Sequence, residues 1–270
     1  MADRPARERL DQALVARGLA PTRSKAQAYV LAGLVTINGE PARTAGQAVQ
    51  PDTAIVVQDL PRFVSRAGDK LDGFLTYLEW EVTGADVLDI GASTGGFTDC
   101  LLQRGAARVI AVDVGYGQLD SKLRNDERVT VMERTNARSL DAESLFYAPD
   151  LIVADVSFIS LRHILGPAIA SARAPWRAIV LVKPQFEASP GDVGKGGVVR
   201  DTAVRRQAVA SVARYALDLG AVPLIARDSG LPGPAGNHEY PLAIVSHDHS
   251  LAHDSNSDPE RIAHEAVDDV

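Results

Sequence analysis

A glycine-rich stretch with nearby carboxylates has the residue types of a nucleotide-binding turn. Val87 to Thr98 reads V-L-D-I-G-A-S-T-G-G-F-T, and it predicts a short buried strand, a tight turn and a helix from Phe97 onward. Glycines let the backbone approach a ligand, and a helix N-terminus has unpaired N–H groups. About twenty residues further on, R-V-I-A-V-D predicts a second strand ending in Asp113, whose carboxylate can hold ribose hydroxyls. The spacing therefore predicts a nucleotide site, with a purely structural turn as the alternative.

The charge beside the turn indicates which nucleotide it takes. Dinucleotide sites have G-x-G-x-x-G, with the helix N-terminus facing a pyrophosphate. Here the turn is G-x-S-x-G-G and Asp89 precedes it. A carboxylate repels a pyrophosphate and attracts a cation, and S-adenosylmethionine carries a sulfonium and an ammonium group but no phosphate. The stretch D-I-G-A-S-T-G-G-F resembles motif I of class I methyltransferases, which implies S-adenosylmethionine as the cofactor.

The same resemblance implies further cofactor contacts at the ends of neighbouring strands. After the third predicted strand, R-V-T-V-M-E, comes R-T-N-A-R, which borders the adenine in such enzymes; an ordinary loop is an equal alternative. The fourth predicted strand ends at Asp155. The predicted cofactor-binding residues are Asp89, Gly91, Ser93, Gly95, Gly96, Phe97, Asp113, Asn136, Ala137 and Asp155.

Two lysines and two carboxylates stand where an α/β sheet binds substrates. Lys70 precedes the sheet, Asp155 and Lys183 end the fourth and fifth predicted strands, and Glu239 opens the seventh. Ligands of such sheets bind beyond the carboxyl ends of the strands. Taken alone, Lys70 could be an ordinary solvent-exposed lysine on a helix. The order Lys-Asp-Lys-Glu, however, resembles the tetrad of FtsJ-type ribose 2′-O-methyltransferases, which implies a catalytic role for all four.

The chemistry of a ribose 2′-hydroxyl explains why such residues are needed. The hydroxyl is a poor nucleophile and must lose its proton as it attacks the methyl group in line. A lysine can accept that proton only while it is neutral, a form that a second lysine and burial favour. We expect Lys183 to be the base or to orient the hydroxyl and Asp155 and Glu239 to position Lys183. We expect Lys70 to steer the hydroxyl and to offset the charge of the carboxylates.

The first 60 residues predict a separate small α+β domain. Two helical segments are followed by L-V-T-I-N-G-E, a strand that runs into an Asn-Gly hairpin turn, and by V-Q-P-D-T-A-I-V-V. R-L-D, S-K-A and G-L-V-T-I-N-G resemble the S4 RNA-binding domain, which implies that basic residues contact RNA phosphates. Ordinary solvated surface charges are the alternative. The predicted RNA-binding residues are Arg9, Arg17, Arg23, Lys25 and Arg43, with Arg66 in the linker and Lys195 in the larger domain.

The whole chain resembles the TlyA family. An S4 domain precedes S-R-A-G-D-K-L, the glycine-rich turn, D-V-S-F-I-S-L, V-K-P-Q-F-E and G-N-H-E-Y. The resemblance implies a class I (Rossmann-like) methyltransferase fold with a seven-stranded sheet. It also implies cytidine 2′-O-methylation of 16S or 23S rRNA, with ribosomal subunits as partners. Two alternatives remain: a non-catalytic RNA- or ribosome-binding protein on the same fold, and a haemolysin, a name that the family also carries.

Composition narrows the classes of protein to which the chain can belong. The 270 residues, 46% hydrophobic and 23% charged, suffice for one α/β domain and a small companion. A single cysteine, Cys100, allows no intrachain disulfide and is expected in the core. The N-terminal residues lack the apolar stretch of a signal peptide, and no apolar run approaches the ~20 residues of a membrane span. We expect a cytoplasmic protein without a metal or a membrane partner.

The net charge of −7 is concentrated at the C-terminal end. Seven acidic residues follow His247, and Arg261 is the only lysine or arginine among them. With few large apolar residues, this tail is predicted to be disordered. The predicted organisation is an S4-like domain (1–60), a linker (61–66), a methyltransferase domain (67–247) and an acidic tail (248–270).

Overall fold

The structure is a computed structural model that describes residues 7–58, 61–253 and 257–268. The chain divides into two compact units, Met1–Pro61 and Arg62–Val270. Residues 1–6, 59 and 60 of the predicted S4-like domain lie outside the described residues, as do residues 254–256, 269 and 270 of the predicted tail.

The first unit consists of two short helices and two small antiparallel sheets. Thr22 accepts a hydrogen bond from the Lys25 amide at 3.2 Å and so begins the second helix. Asn38 and Gly39 both have positive φ, as a two-residue hairpin turn requires. The elements are β1 (Glu8–Arg9), α1 (Leu10–Ala16), α2 (Arg23–Leu31), β2 (Val35–Ile37), β3 (Glu40–Pro41), β4 (Ala48–Val49) and β5 (Ile55–Val57). The two sheets have the orders β1-β4 and β3-β2-β5.

The second unit alternates strands and helices. Its first part comprises α3 (Arg66–Tyr77), β6 (Asp86–Ile90), α4 (Gly96–Gln103), β7 (Arg108–Val112), α5 (Ser121–Arg124), β8 (Val129–Met132), β9 (Leu151–Ala154) and α6 (Leu165–Ala170). Its second part comprises β10 (Arg177–Val182), α7 (Pro184–Glu187), α8 (Thr202–Asp218), β11 (Ala221–Ala226), β12 (Tyr240–Ser246) and α9 (Pro259–Asp268).

The sheet of the second unit has the order β11-β12-β10-β9-β6-β7-β8. Strand β12 runs antiparallel to both of its neighbours, whereas the other paired strands run parallel. Strands β6, β9 and β12 are buried at every residue, because helices cover both faces of the sheet. Cys100 is fully buried in this core. The predicted seven-stranded sheet is confirmed.

The tail is not the disordered segment that its acidity predicts. Residues 259–268 form α9, which packs on α8 and β11. Its buried residues Ile262, Ala263, Ala266 and Val267 recur at helical spacing. Its carboxylates pair with arginines of α8: Asp268 lies 2.7 Å from Arg206, and Glu260 pairs with Arg214. The acidic composition gave the wrong prediction because these charges flank a short apolar stripe in which two of the four residues are alanine.

The predicted linker is also structured in part. Phe63 is 2% exposed and packs against Gly68 of α3. The Val64 amide donates a hydrogen bond to Asp99 Oδ2 at 2.8 Å. From Phe63 onward, the segment therefore belongs to the second unit.

Candidate active site

The turn after β6 brings the ends of two strands close together. Gly91 has φ +82°, and a Cβ atom there would lie 2.4 Å from the carbonyl oxygen of Asp155, which follows β9. Glycine is therefore required both for the backbone conformation and for the close approach. Gly95 also has positive φ and is the N-cap of α4.

A cavity of about 350 Å³ opens beside this turn. Asp113 stands at its wall, where its two carboxylate oxygens accept hydrogen bonds from the amides of Ser93 (2.8 Å) and Gly115 (2.7 Å). Asn136 lies in the wall and uses its side-chain oxygen to cap the turn at Arg138. Of the predicted cofactor residues, Gly91, Ser93, Asp113, Asn136, Ala137 and Asp155 line this cavity.

A smaller cavity of about 260 Å³ lies against the same turn and α4. The predicted residues Gly96 and Phe97 line it, together with Lys183. Gly91, Ser93 and Asp155 border both cavities. The two spaces suit the two ends of an elongated ligand that crosses the turn.

Asp89 lies beneath the turn rather than on it. Its side chain is fully buried, accepts a hydrogen bond from the Thr98 hydroxyl at 2.6 Å and lines neither cavity. Burial raises the pKa of Asp89 to about 7, and the charges of Asp155 and Asp113 add to that rise. The Asp89 carboxylate therefore supports the turn from below, and its direct contact with the cofactor stays a prediction.

A third cavity, of about 510 Å³, lies next to the first two. Lys183 and Glu239 line it, and Ser157 borders all three cavities. Lys183 Nζ lies 2.6 Å from Asp155 Oδ1 and donates to Ser157 Oγ at 3.1 Å. Nζ of Lys70 lies 2.5 Å from Oε2 of Glu239, and both side chains are at least nine-tenths buried.

The four predicted catalytic residues thus form two ion pairs, Lys183 with Asp155 and Lys70 with Glu239. The expected pairing of Glu239 with Lys183 is wrong, because Glu239 instead pairs with Lys70. Lys70 lines none of the three cavities, whereas its partner Glu239 lines the third.

Sequence reasoning missed two aromatic residues and a glutamine. Phe158 is 91% exposed, borders the first and third cavities, and lies 5.2 Å from the ring of Phe186. Its φ of +63° is unusual for a bulky residue. Gln118 lines the first cavity. The sequence could have indicated Phe158, because this residue follows by three positions Asp155, which ends the fourth predicted strand.

Several predicted RNA-binding residues have structural partners. Arg9 and Arg23 both bind the buried Asp11 carboxylate, at 3.0 Å each. Arg17 donates to the carbonyls of Thr53 (2.6 Å) and Gln50 (3.1 Å). These three arginines therefore stabilise the first unit as well as presenting charge.

The remaining predicted RNA-binding residues are exposed and form no ion pair with another described residue. They are Lys25, Arg43 and Lys195, together with Arg66, which donates to the Pro232 carbonyl at 3.4 Å. Their contact with RNA stays a prediction.

The sheet order, the glycine turn and the lysine–carboxylate pairs at the strand ends define a class I methyltransferase. A sequence profile described as FtsJ-like methyltransferase matches residues 63–245, and one described as S4 domain matches residues 8–55. The chain belongs to the FtsJ-like methyltransferase family and, within it, to the TlyA family.

Three similar proteins support this assignment. A Mycobacterium tuberculosis protein named "16S/23S rRNA (cytidine-2'-O)-methyltransferase TlyA" is 50% identical over 87% of this chain and 88% of its own length. A Brachyspira hyodysenteriae protein named "Hemolysin A" is 41% identical over 86% and 97%. A solved structure, "Putative hemolysin from Streptococcus thermophilus", has a TM-score of 0.71 and 35% identity, covering 98% of this chain and 96% of that one.

In the part of the chain that the structure describes, no helix is long and apolar enough to cross a membrane. Among residues 7–58, 61–253 and 257–268, no group of three or more histidine, cysteine, aspartate or glutamate side chains could hold a metal ion.

Proposed function

We propose that this protein transfers a methyl group from S-adenosylmethionine to the ribose 2′-hydroxyl of a cytidine in 16S or 23S rRNA. One observation carries the proposal. Asp155 lines the first two cavities, Lys183 lines the second and third, and Nζ of Lys183 lies 2.6 Å from Oδ1 of Asp155. The printed name of the M. tuberculosis relative supports cytidine in rRNA as the target. The S4 domain supports RNA as the partner.

The side chains around the first two cavities fit S-adenosylmethionine. The backbone amides that hold Asp113 leave carboxylate lone pairs free to accept the hydroxyl protons of a ribose. Asp155 places a carboxylate in both cavities, which suits a ligand with a sulfonium and an ammonium group. When bound, S-adenosylmethionine supplies an electrophilic methyl group.

The residues of the third cavity are suited to handle the 2′-hydroxyl. Lys183 Nζ is aimed by Asp155 and Ser157, so it can hold the hydroxyl oxygen and take its proton when neutral. Glu239 faces the same cavity and is held by Lys70. Base assistance of this kind contributes about 10²–10⁴ in rate. Phe158 and Phe186 offer ring faces to a nucleoside.

Transfer of tritium from labelled S-adenosylmethionine tests the proposal. Isolated 30S and 50S subunits are incubated with the protein, digested with nuclease, and resolved into nucleosides. We expect label in 2′-O-methylcytidine. Label in a methylated base would exclude ribose methylation while leaving the methyltransferase class intact. Cofactor binding without any label would favour a non-catalytic RNA-binding protein.

A further inference from the structure

A buried carboxylate outside the two ion pairs joins the two segments that carry one of them, the pair of Lys183 with Asp155. Glu187 is the last residue of α7, and its side chain is 1% exposed. Its Oε2 accepts a hydrogen bond from the Ser160 hydroxyl at 2.6 Å, and its Oε1 accepts one from the Leu161 amide at 2.7 Å. The Arg162 guanidinium lies 3.7 Å away. Burial of a carboxylate costs free energy unless the group is hydrogen-bonded, and these hydrogen bonds offset that cost.

The two joined segments supply most of the polar groups of the third cavity. The segment after β9 contains Asp155, Ser157 and Phe158, and the segment after β10 runs from Lys183 to Glu187. Side-chain contacts link the two segments near the cavity: Lys183 with Asp155 and Ser157, and the Phe158 ring with the Phe186 ring. Glu187 adds two hydrogen bonds between the segments, because its carboxylate at the end of α7 accepts from Ser160 and Leu161 of the first segment.

The backbone of the first segment needs such support. Phe158 has φ +63°, a conformation that a bulky residue keeps only where surrounding contacts hold it. Because the Phe158 side chain is 91% exposed, burial of the ring does not supply that restraint. The bonds from Ser160 and Leu161 to Glu187 fix the chain two and three residues further on.

We propose that Glu187 is a positioning residue for methyl transfer, whose carboxylate holds the segment 155–161 against α7 and so keeps Asp155, Ser157 and Phe158 in register with Lys183. This inference rests on the proposed function. Glu187 lies outside the three cavities and touches neither reacting group, so it acts through the segments that it joins.

Hydrogen exchange in the full-length protein tests the tether without any substrate. Glu187→Ala removes both acceptors, whereas Glu187→Gln keeps an acceptor for the Leu161 amide and gains a donor for Ser160 Oγ. A hydrogen bond to a charged group protects its donor strongly, so we expect exchange around Leu161 to rise about 10- to 100-fold in Glu187→Ala. We expect a much smaller rise in Glu187→Gln. Glu143→Ala, at an exposed glutamate, is the matched control. Unchanged exchange in Glu187→Ala would overturn the tether.

Methyl transfer by the same variants tests the positioning role. Misplacement of reacting groups by about 1 Å can cost about 10²-fold, so we expect the kcat of Glu187→Ala to fall about 10- to 100-fold. We expect Glu187→Gln to restore most of that loss. A wild-type kcat in Glu187→Ala contradicts the proposal. Equal losses of kcat and of Tm in both variants would show that Glu187 only stabilises the fold. If the wild-type protein labels no ribose, the proposed function fails, and the exchange comparison still decides whether Glu187 tethers the segments.

Discussion

At the scale of single residues, Lys183 is the side chain on which the proposed chemistry depends most directly. It borders the second and third cavities, and Asp155 holds its ammonium group at 2.6 Å. We expect Lys183→Ala to abolish methyl transfer to ribosomal subunits and to leave the Kd for S-adenosylmethionine nearly unchanged. Tritium transfer and calorimetric titration measure the two quantities.

A second lysine–aspartate pair provides the control for Lys183. Lys122 lies 3.0 Å from Asp99 and lines none of the three cavities at the active site. Lys122→Ala should therefore retain methyl transfer although it also removes an ion pair. Loss of transfer and of cofactor binding together in Lys183→Ala would indicate that Lys183 has a structural role.

Asp89 is expected to make stability depend on pH. Burial raises the pKa of Asp89 to about 7 in the folded protein, above the value of about 3.9 for an unfolded chain. Its contribution to the free energy of unfolding is therefore full below about pH 4 and is lost as the pH rises through about 7, at no more than about 1.4 kcal/mol per pH unit. Asp89→Asn keeps an acceptor for Thr98 and should remove this loss. Denaturant unfolding from pH 5 to 8 measures it.

The opposite shift at Asp86 gives a control for that measurement. The Arg108 guanidinium lowers the pKa of the Asp86 carboxyl, so its contribution is already complete above the pKa of the unfolded chain and stays constant from pH 5 to 8. Asp86→Asn should shift the free energy of unfolding by a constant amount across that range. Parallel pH curves for Asp89→Asn and the wild type would contradict the assignment to Asp89.

Position in the sequence predicted which side chains reach the site but not how they pair. Asp155 and Lys183 could be placed because each follows an apolar strand, and Glu239 because it directly precedes one. Their partners depend on side-chain direction and on the order of strands in the sheet, neither of which spacing reveals. For this reason the sequence did not predict that Glu239 pairs with Lys70 or that Asp89 lies buried beneath the turn.

At the scale of elements, α9 shows where composition and periodicity disagree. The acidic residues of the tail predicted disorder, whereas the structure has a helix whose buried residues follow one face. Three of those four residues are alanine or valine, which give a weak apolar signal beside the carboxylates. The strands were easier to predict, because short runs of β-branched apolar residues between glycines or charged residues favour a strand over a helix.

Ile262 is the residue that tests whether α9 is part of the folded unit. It is fully buried where α9 packs on α8 and β11. Ile262→Ala should lower the free energy of unfolding by about 2–5 kcal/mol, because it removes buried methyl groups and leaves a cavity. Chemical denaturation measures the change. Leu251→Ala, at a residue that is 39% exposed, serves as the control and should have little effect. A disordered tail would instead make the two variants equivalent.

At the scale of the whole molecule, the chain is acidic and yet is proposed to bind RNA. The first unit differs from the rest: residues 1–61 contain seven lysines and arginines against six aspartates and glutamates, while the complete chain has a net charge of −7. It also has its own core, built on Leu10, Leu14 and Val35. Local charge on an S4 domain can therefore bind phosphates although the total charge is negative.

Separating the two units distinguishes RNA capture from chemistry. All three active-site cavities are lined by residues of the second unit, so a chain of residues 62–270 should bind S-adenosylmethionine with the Kd of the full-length protein. Its KM for ribosomal subunits should rise, since the S4 domain at residues 8–55 is lost. The full-length KM should also increase with salt, as phosphate contacts release counterions. Circular dichroism confirms that the fragment is folded. A fragment that methylates subunits with an unchanged KM would assign RNA recognition to the second unit alone.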